Sequence, residues 1–137
     1  MAEGLARDWG YRNRVAIEAK SAGTMGIEQR PADPKAVAVC AEVAVGIAEH
    51  RSQGLTDALV DWADYLLVME VAHAQEIRDR YPQAENRVVL LGSFVGQMDI
   101  PDPIGGWTFQ FRRSRKQIQR CVDAFLSRLP AAASPGA

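Results

Sequence analysis

Two apolar runs constrain this chain most: Tyr65-Leu66-Leu67-Val68-Met69, and Val88-Val89-Leu90-Leu91 directly behind Arg87. Short uninterrupted runs of this kind mark strands buried on both faces, which occur in parallel sheets covered by helices on each side. Between them, His73 to Arg80 reads as a helix that stops at Tyr81-Pro82, because a proline disfavours helical geometry in the residue before it. Strand, crossover helix and strand together predict an α/β fold with a parallel sheet. A third strand is predicted where Val15, Ile17 and Ala19 alternate with Ala16, Glu18 and Lys20, ending at Ser21-Ala22-Gly23-Thr24.

The helices fill in around these strands. Met1 to about Tyr11 reads as a short helix with no capping residue ahead of it. Asp33-Pro34 combines an N-cap acid with a proline at the first helical position. The helix it opens places Val37, Cys40, Ala41, Ala44 and Val45 on one predicted face, with Gly46 as its terminator. Thr56-Asp57-Ala58-Leu59 starts a shorter helix. From about Thr108 to Leu129 the pattern is helical, with Ile118, Cys121, Val122, Phe125, Leu126 and Leu129 spaced for one apolar stripe.

With 137 residues, the chain fits one domain able to bury a real core. Its 47% hydrophobic and 24% charged residues suit a water-facing globule, and a net charge of −1 creates no global field for nucleic acid or anionic membrane. No apolar run approaches the ~20 residues that span a bilayer. Residues 1–5 do not read as a signal peptide, and two cysteines make no disulfide framework, so a reduced, cytoplasmic setting is expected. Arg112, Arg113, Arg115, Lys116 and Arg120 read as a solvated helix face, without the interleaved aromatics that stack on bases. Residues 130–137, all Ala, Pro, Ser and Gly, read as a disordered tail.

One loop carries a candidate for chemistry. In Ile100-Pro101-Asp102-Pro103-Ile104-Gly105-Gly106, two prolines pre-set the backbone around a single carboxylate, and paired glycines let the chain swing into the helix beyond. A stiff loop of this kind can hold a general acid; it can equally be an ordinary turn with a solvated Asp. Both cysteines lie on apolar helix faces, where cysteine is most often a small core residue.

Several segments, in order, resemble the low-molecular-weight protein-tyrosine-phosphatase family, which also includes thioredoxin-coupled arsenate reductases and bacterial phosphoarginine phosphatases. Met1-Ala2-Glu3-Gly4-Leu5 is similar to the family's first helix, directly after its phosphate loop. Ser21-Ala22-Gly23-Thr24 resembles the exit of the second strand, and Ala48-Glu49-His50-Arg51 the segment placing a structural histidine. Leu67-Val68-Met69-Glu70 and Leu90-Leu91-Gly92-Ser93 resemble the third and fourth strands, and Ile100-Pro101-Asp102-Pro103 the acid loop. The resemblance runs from Met1 to about Leu129, which defines the expected domain, residues 1–129, and implies the family's three-layer, doubly wound parallel sheet, here lacking its first, interior strand.

The resemblance implies that Asp102 is the general acid, which protonates the leaving oxygen and then activates water against a phosphoenzyme. It implies that Ser21 and His50 support the phosphate loop, and that Ile27 and Ile104 stand where other members place aromatic pocket walls. Trp107 is a candidate for a displaced aromatic wall, or else a partly buried anchor at the helix start. The implied partner is a phosphorylated protein or small phosphomonoester, with no nucleic acid, no membrane and no cofactor or metal.

The family's nucleophile sits in a loop of Cys, five residues and Arg, where backbone N–H groups and the Arg stabilise the transferred phosphoryl group. Here Gly46 lies six residues after Cys40 and Ser127 six after Cys121, so no Cys-x5-Arg loop is present. The family's interior first strand, in a sheet of order 2-1-3-4, is also unmatched. The expectation is therefore an N-terminally shortened reading of a longer phosphatase, inactive as it stands. A non-catalytic pseudophosphatase or interaction module is the competing expectation, and an arsenate reductase relative a third.

Overall fold

The computed structural model describes residues 1–24, 28–97 and 99–129. Helix α1 (Ala2–Asn13) leads to a long irregular stretch, then α2 (Pro34–Ala41) and α3 (Asp57–Trp62). Strand β1 (Leu66–Val68), α4 (Val71–Arg80) and β2 (Val88–Leu90) follow, and α5 (Thr108–Ser127) closes the fold. Two 3-10 segments, Pro82–Arg87 and Leu91–Val95, flank β2. β1 and β2 pair in parallel, with Leu66 opposite Val88, Leu67 opposite Val89 and Val68 opposite Leu90.

The pairing sorts side chains onto two faces, because successive strand residues point to opposite sides. Val68 is buried with Val60, Ala74, Ile77, Tyr81 and Ala84, and Leu66, Val88 and Leu90 pack against that cluster. Val89 packs against the larger cluster of Leu5, Val39, Cys40, Leu91, Ile100, Phe111, Ile118, Cys121 and Phe125. Helices α3 and α4 therefore cover one face of the sheet, and α1, α2 and α5 the other. The layering is α/β with a parallel sheet, as the apolar runs predicted.

Several caps follow from local sequence. The Asp33 carboxylate accepts from the backbone N–H of Lys35 at 2.8 Å, with Pro34 at the first helical position. The Thr56 hydroxyl accepts from Leu59 N at 3.2 Å. Met1 offers α1 no side-chain cap. α5 buries Ile118, Cys121, Val122, Phe125 and Leu126 of its predicted stripe and also Phe111, while Leu129 lies past its end, partly buried.

Other expectations are corrected. Residues 15–22 form no strand; only Gly23 makes a parallel bridge, to Gly54. Alternation alone does not make a strand, which exists only in a ladder, and among the described residues β1 pairs on one edge only, with β2. Nor are the strands fully covered: Leu67 is 41% exposed and β2 only half-buried. α2 stops at Ala41 instead of running to Gly46, because Ala44 turns into the left-handed region at φ 61° and Val45 N returns to Cys40 O at 3.0 Å. Its buried residues are Ala36, Val39 and Cys40, whereas Ala41 and Ala44 are exposed. Arg115 is not on a solvated face; it is buried, with an amino group 3.3 Å from Glu42. The tail from residue 130 lies outside the described residues.

Candidate functional site

The acid loop is fastened to the sheet at two points. Ile100, itself buried, donates its N–H to the carbonyl of Met69, the residue after β1, at 2.9 Å. The Asp99 carboxylate accepts from Val71 N at 2.8 Å, capping α4 from across the chain where Glu70 provides no side-chain cap. The loop is thus held at the carboxyl end of β1, the end at which open α/β sheets present their ligand sites.

Of the loop's two carboxylates, Asp99 is committed to that cap. Asp102 is exposed, and its one hydrogen bond among the described residues is from Ile104 N to Oδ1 at 3.0 Å. This local turn orients the carboxylate while leaving its second oxygen open to solvent. Beyond it, Gly105 takes φ 82°, which a side chain would oppose, and Gly106 O accepts from the Lys35 ammonium at 2.6 Å. Gly106 N closes the turn on Pro103 O at 2.7 Å. Trp107 caps α5 through half of a capping box: Gln110 Oε1 accepts from Trp107 N at 2.6 Å. The indole has no acceptor for the reciprocal bond.

Ile104 and Trp107 stand on this loop with Asp102, 75% and 72% exposed, so Trp107 is no buried anchor. Ile27 lies outside the described residues. Ser21 and His50 do meet, and the residue that joins them is Glu3 in the first turn of α1. The Ser21 hydroxyl donates to Glu3 Oε1 at 3.1 Å, and His50 Nδ1 lies 3.4 Å from Oε2. Arg7, one turn along α1, approaches the same oxygen at 3.3 Å. Gln53 adds a bond from its amide to Ser21 O at 3.0 Å. Two open clefts share His50: one runs along Glu3, Arg7 and Ile47, the other along Ser21, Ser52 and Gln53. Neither is lined by Asp102, and no hydrogen bond joins Asp102 to Ser21 or His50. Sequence reasoning missed Glu3, although an acid at the first turn followed by Arg four residues later is a visible signal.

The cysteines are excluded as nucleophiles by their surroundings. Both are fully buried. Burial pushes the Cys40 thiol up, against the opposing pull of the Met1 ammonium and Arg115. Burial likewise raises Cys121, with Arg120 opposing. A thiol held protonated and away from solvent is neither nucleophile nor metal ligand. Among the described residues no group of three or more His, Cys, Asp or Glu could hold a metal ion. No described helix is long and apolar enough to cross a membrane.

The fold is a parallel α/β domain with an exposed carboxylate, Asp102, on a proline-set loop held at the carboxyl end of β1. Residues 1–134 match the family model described as low molecular weight phosphotyrosine protein phosphatase. The chain is 40% identical over 131 residues to the probable low molecular weight protein-tyrosine-phosphatase EpsP of Ralstonia nicotianae, covering 96% of this chain and 87% of that protein. It is 33% identical over 115 residues to a protein-arginine-phosphatase of Geobacillus stearothermophilus, covering 82% and 77%. A low molecular weight protein tyrosine phosphatase from T. tengcongensis superimposes with a TM-score of 0.88 at 27% identity, covering 93% of this chain and 88% of that one. This chain belongs to the low molecular weight phosphotyrosine protein phosphatase family.

Proposed function

We propose that this chain carries the general acid and the supporting network of a phosphatase that hydrolyses phosphorylated protein side chains through a cysteinyl-phosphate. One observation carries the reading: Asp102 is the uncommitted carboxylate of a loop tied to the end of β1, while its neighbour Asp99 is engaged in capping α4. In this role Asp102 gives its proton to the leaving oxygen and then takes one from the attacking water. Ser21 and His50 act through Glu3, which stands at the N-terminal turn of α1, where a phosphate loop entering that helix is braced. The 137 residues contain no nucleophilic Cys-x5-Arg loop. The chain as written then turns over no phosphomonoester. We take phosphotyrosine as the first substrate, because the exposed Trp107 offers an aryl phosphate ring contact worth about 0.5–1.5 kcal/mol. Phosphoarginine is the second, supported by the likeness to a protein-arginine-phosphatase and by the aliphatic Ile104.

The test is a fusion that places an apolar strand and a Cys-x5-Arg-Ser-Pro segment directly before Met1. The fusion is expected to hydrolyse p-nitrophenyl phosphate with a trappable phosphocysteine, and the 137-residue chain to show no turnover. Turnover by the unextended chain, or a folded fusion that never becomes phosphorylated, contradicts the reading.

A further inference from the structure

α5 carries one surface that the phosphatase reading leaves unused. Phe109, Arg113, Lys116 and Arg120 are spaced four, three and four residues apart, which puts them within one narrow stripe of the helix. All four are exposed. The other two cations of this helix are already paired: Arg112 forks onto Glu42 at 2.8 and 2.7 Å, and Arg115 reaches the same carboxylate. Arg113, Lys116 and Arg120 make no ion pair or hydrogen bond among the described residues. The first acid on α5 is Asp123, so nothing earlier in the helix offsets the stripe. At its N-terminal end Phe109, 60% exposed, lies beside Trp107, 72% exposed, and the acid loop ends just before Trp107.

We infer that this stripe is a docking track for an acidic, extended segment of the phosphoprotein substrate, with Phe109 taking an apolar residue at the end nearest the acid loop. The inference rests on the phosphatase reading for its direction along α5. Charge supplies the argument for the occupant: three unpaired cations on a chain of net charge −1 form a local site for an acidic ligand. Length agrees with it. Phe109 and Arg120 are eleven steps apart, a rise of about 16 Å, which is the reach of about five residues of extended chain. On the side facing α5 such a segment presents an acidic residue at every second position, enough for the three cations, with an apolar residue flanking it for Phe109. A nucleic acid is less well matched, because the stripe holds a single aromatic and stacking platforms need several.

The experiment measures binding, not turnover, so its outcome is independent of whether Asp102 is an acid. A fluorescent peptide of alternating Glu with one Leu, lacking any phosphate, is titrated by anisotropy into the full chain and into the loop-bearing fusion. The proposal expects saturable binding that weakens when salt rises from about 0.1 M to about 1 M, as the Debye length falls from about 10 to about 3 Å. R113E/K116E/R120E is expected to lose at least about tenfold in affinity, the milder R113Q/K116Q/R120Q less, and F109A about threefold. Circular dichroism on each variant establishes unchanged helix content. Equal binding by wild type and both triple variants overturns the proposal, as does tighter binding of a single-stranded oligonucleotide or of anionic vesicles than of the peptide.

Discussion

Replacing Glu3 with Ala removes the junction of the Ser21–His50 network, and the structure sets its size. The Glu3 side chain is 13% exposed and makes three contacts: Ser21 Oγ at 3.1 Å, His50 Nδ1 at 3.4 Å and Arg7 Nη1 at 3.3 Å. The Arg7 side chain is 59% exposed, so solvent screens that pair to about 0–0.5 kcal/mol. The Ser21 bond is worth about 1 kcal/mol, and leaving the part-buried hydroxyl without its acceptor adds a share of its desolvation cost. E3A is therefore expected to destabilise by about 2 kcal/mol, read as a lower urea midpoint at unchanged slope. E3Q keeps an oxygen for Ser21 and is expected to cost about 0.5–1 kcal/mol. A double-mutant cycle with S21A isolates a coupling of about 1 kcal/mol. If E3A lies within about 0.3 kcal/mol of wild type, or the cycle shows no coupling, the network is not the brace described above.

Three further outcomes can be checked on the same curves. Ala44 holds φ 61°, so A44G should raise stability by about 0.5–1 kcal/mol in urea denaturation, in contrast to glycine at an ordinary helix position. D99A removes the cap on Val71 N and should cost about 1 kcal/mol, with faster hydrogen exchange at the first turn of α4. Burial raises both thiols, so the folded chain keeps protons that the unfolded chain has released above the free-thiol value of about 8.5. Stability from this source is complete below that pH and declines as pH rises through the raised folded values, and C40A/C121A should flatten the decline in urea midpoints measured from about pH 7 to about pH 10.

What the sequence revealed depended on whether a signal was local. Asp33-Pro34 and Thr56 cap helices by chemistry within a few residues, and both formed where expected. The apolar runs 65–69 and 88–91 gave the parallel pair for a similar reason, since the helix between them supplies the crossover. Residues 15–20 had the alternation of a strand but no ladder to join, and pairing is a property of two segments that one segment cannot display. The end of α2 was misplaced because glycine is only the commonest way to take a left-handed turn, and here Ala44 takes it. Arg115 looked solvated because helical periodicity does not show that Glu42, seventy-three residues earlier, lies against it. In the candidate site, the exposed position of Asp102 on a fixed loop was legible from its prolines. For Glu3 only the i,i+4 pairing with Arg7 was legible; its junction role was not, because Ser21 and His50 come from far along the chain.

In the proposed reaction Asp102 delivers the proton during phosphoryl transfer, and this role can be read out directly. It is tested most directly by D102N in the fusion that carries the Cys-x5-Arg loop, assayed with a poor and a good leaving group. Phenyl phosphate hydrolysis by D102N is expected to fall by about 10²–10⁴. A smaller loss is expected for p-nitrophenyl phosphate, whose leaving oxygen needs less help from an acid. D102N turnover equal to wild type on both substrates, in a fusion that still forms the phosphocysteine, would contradict that role.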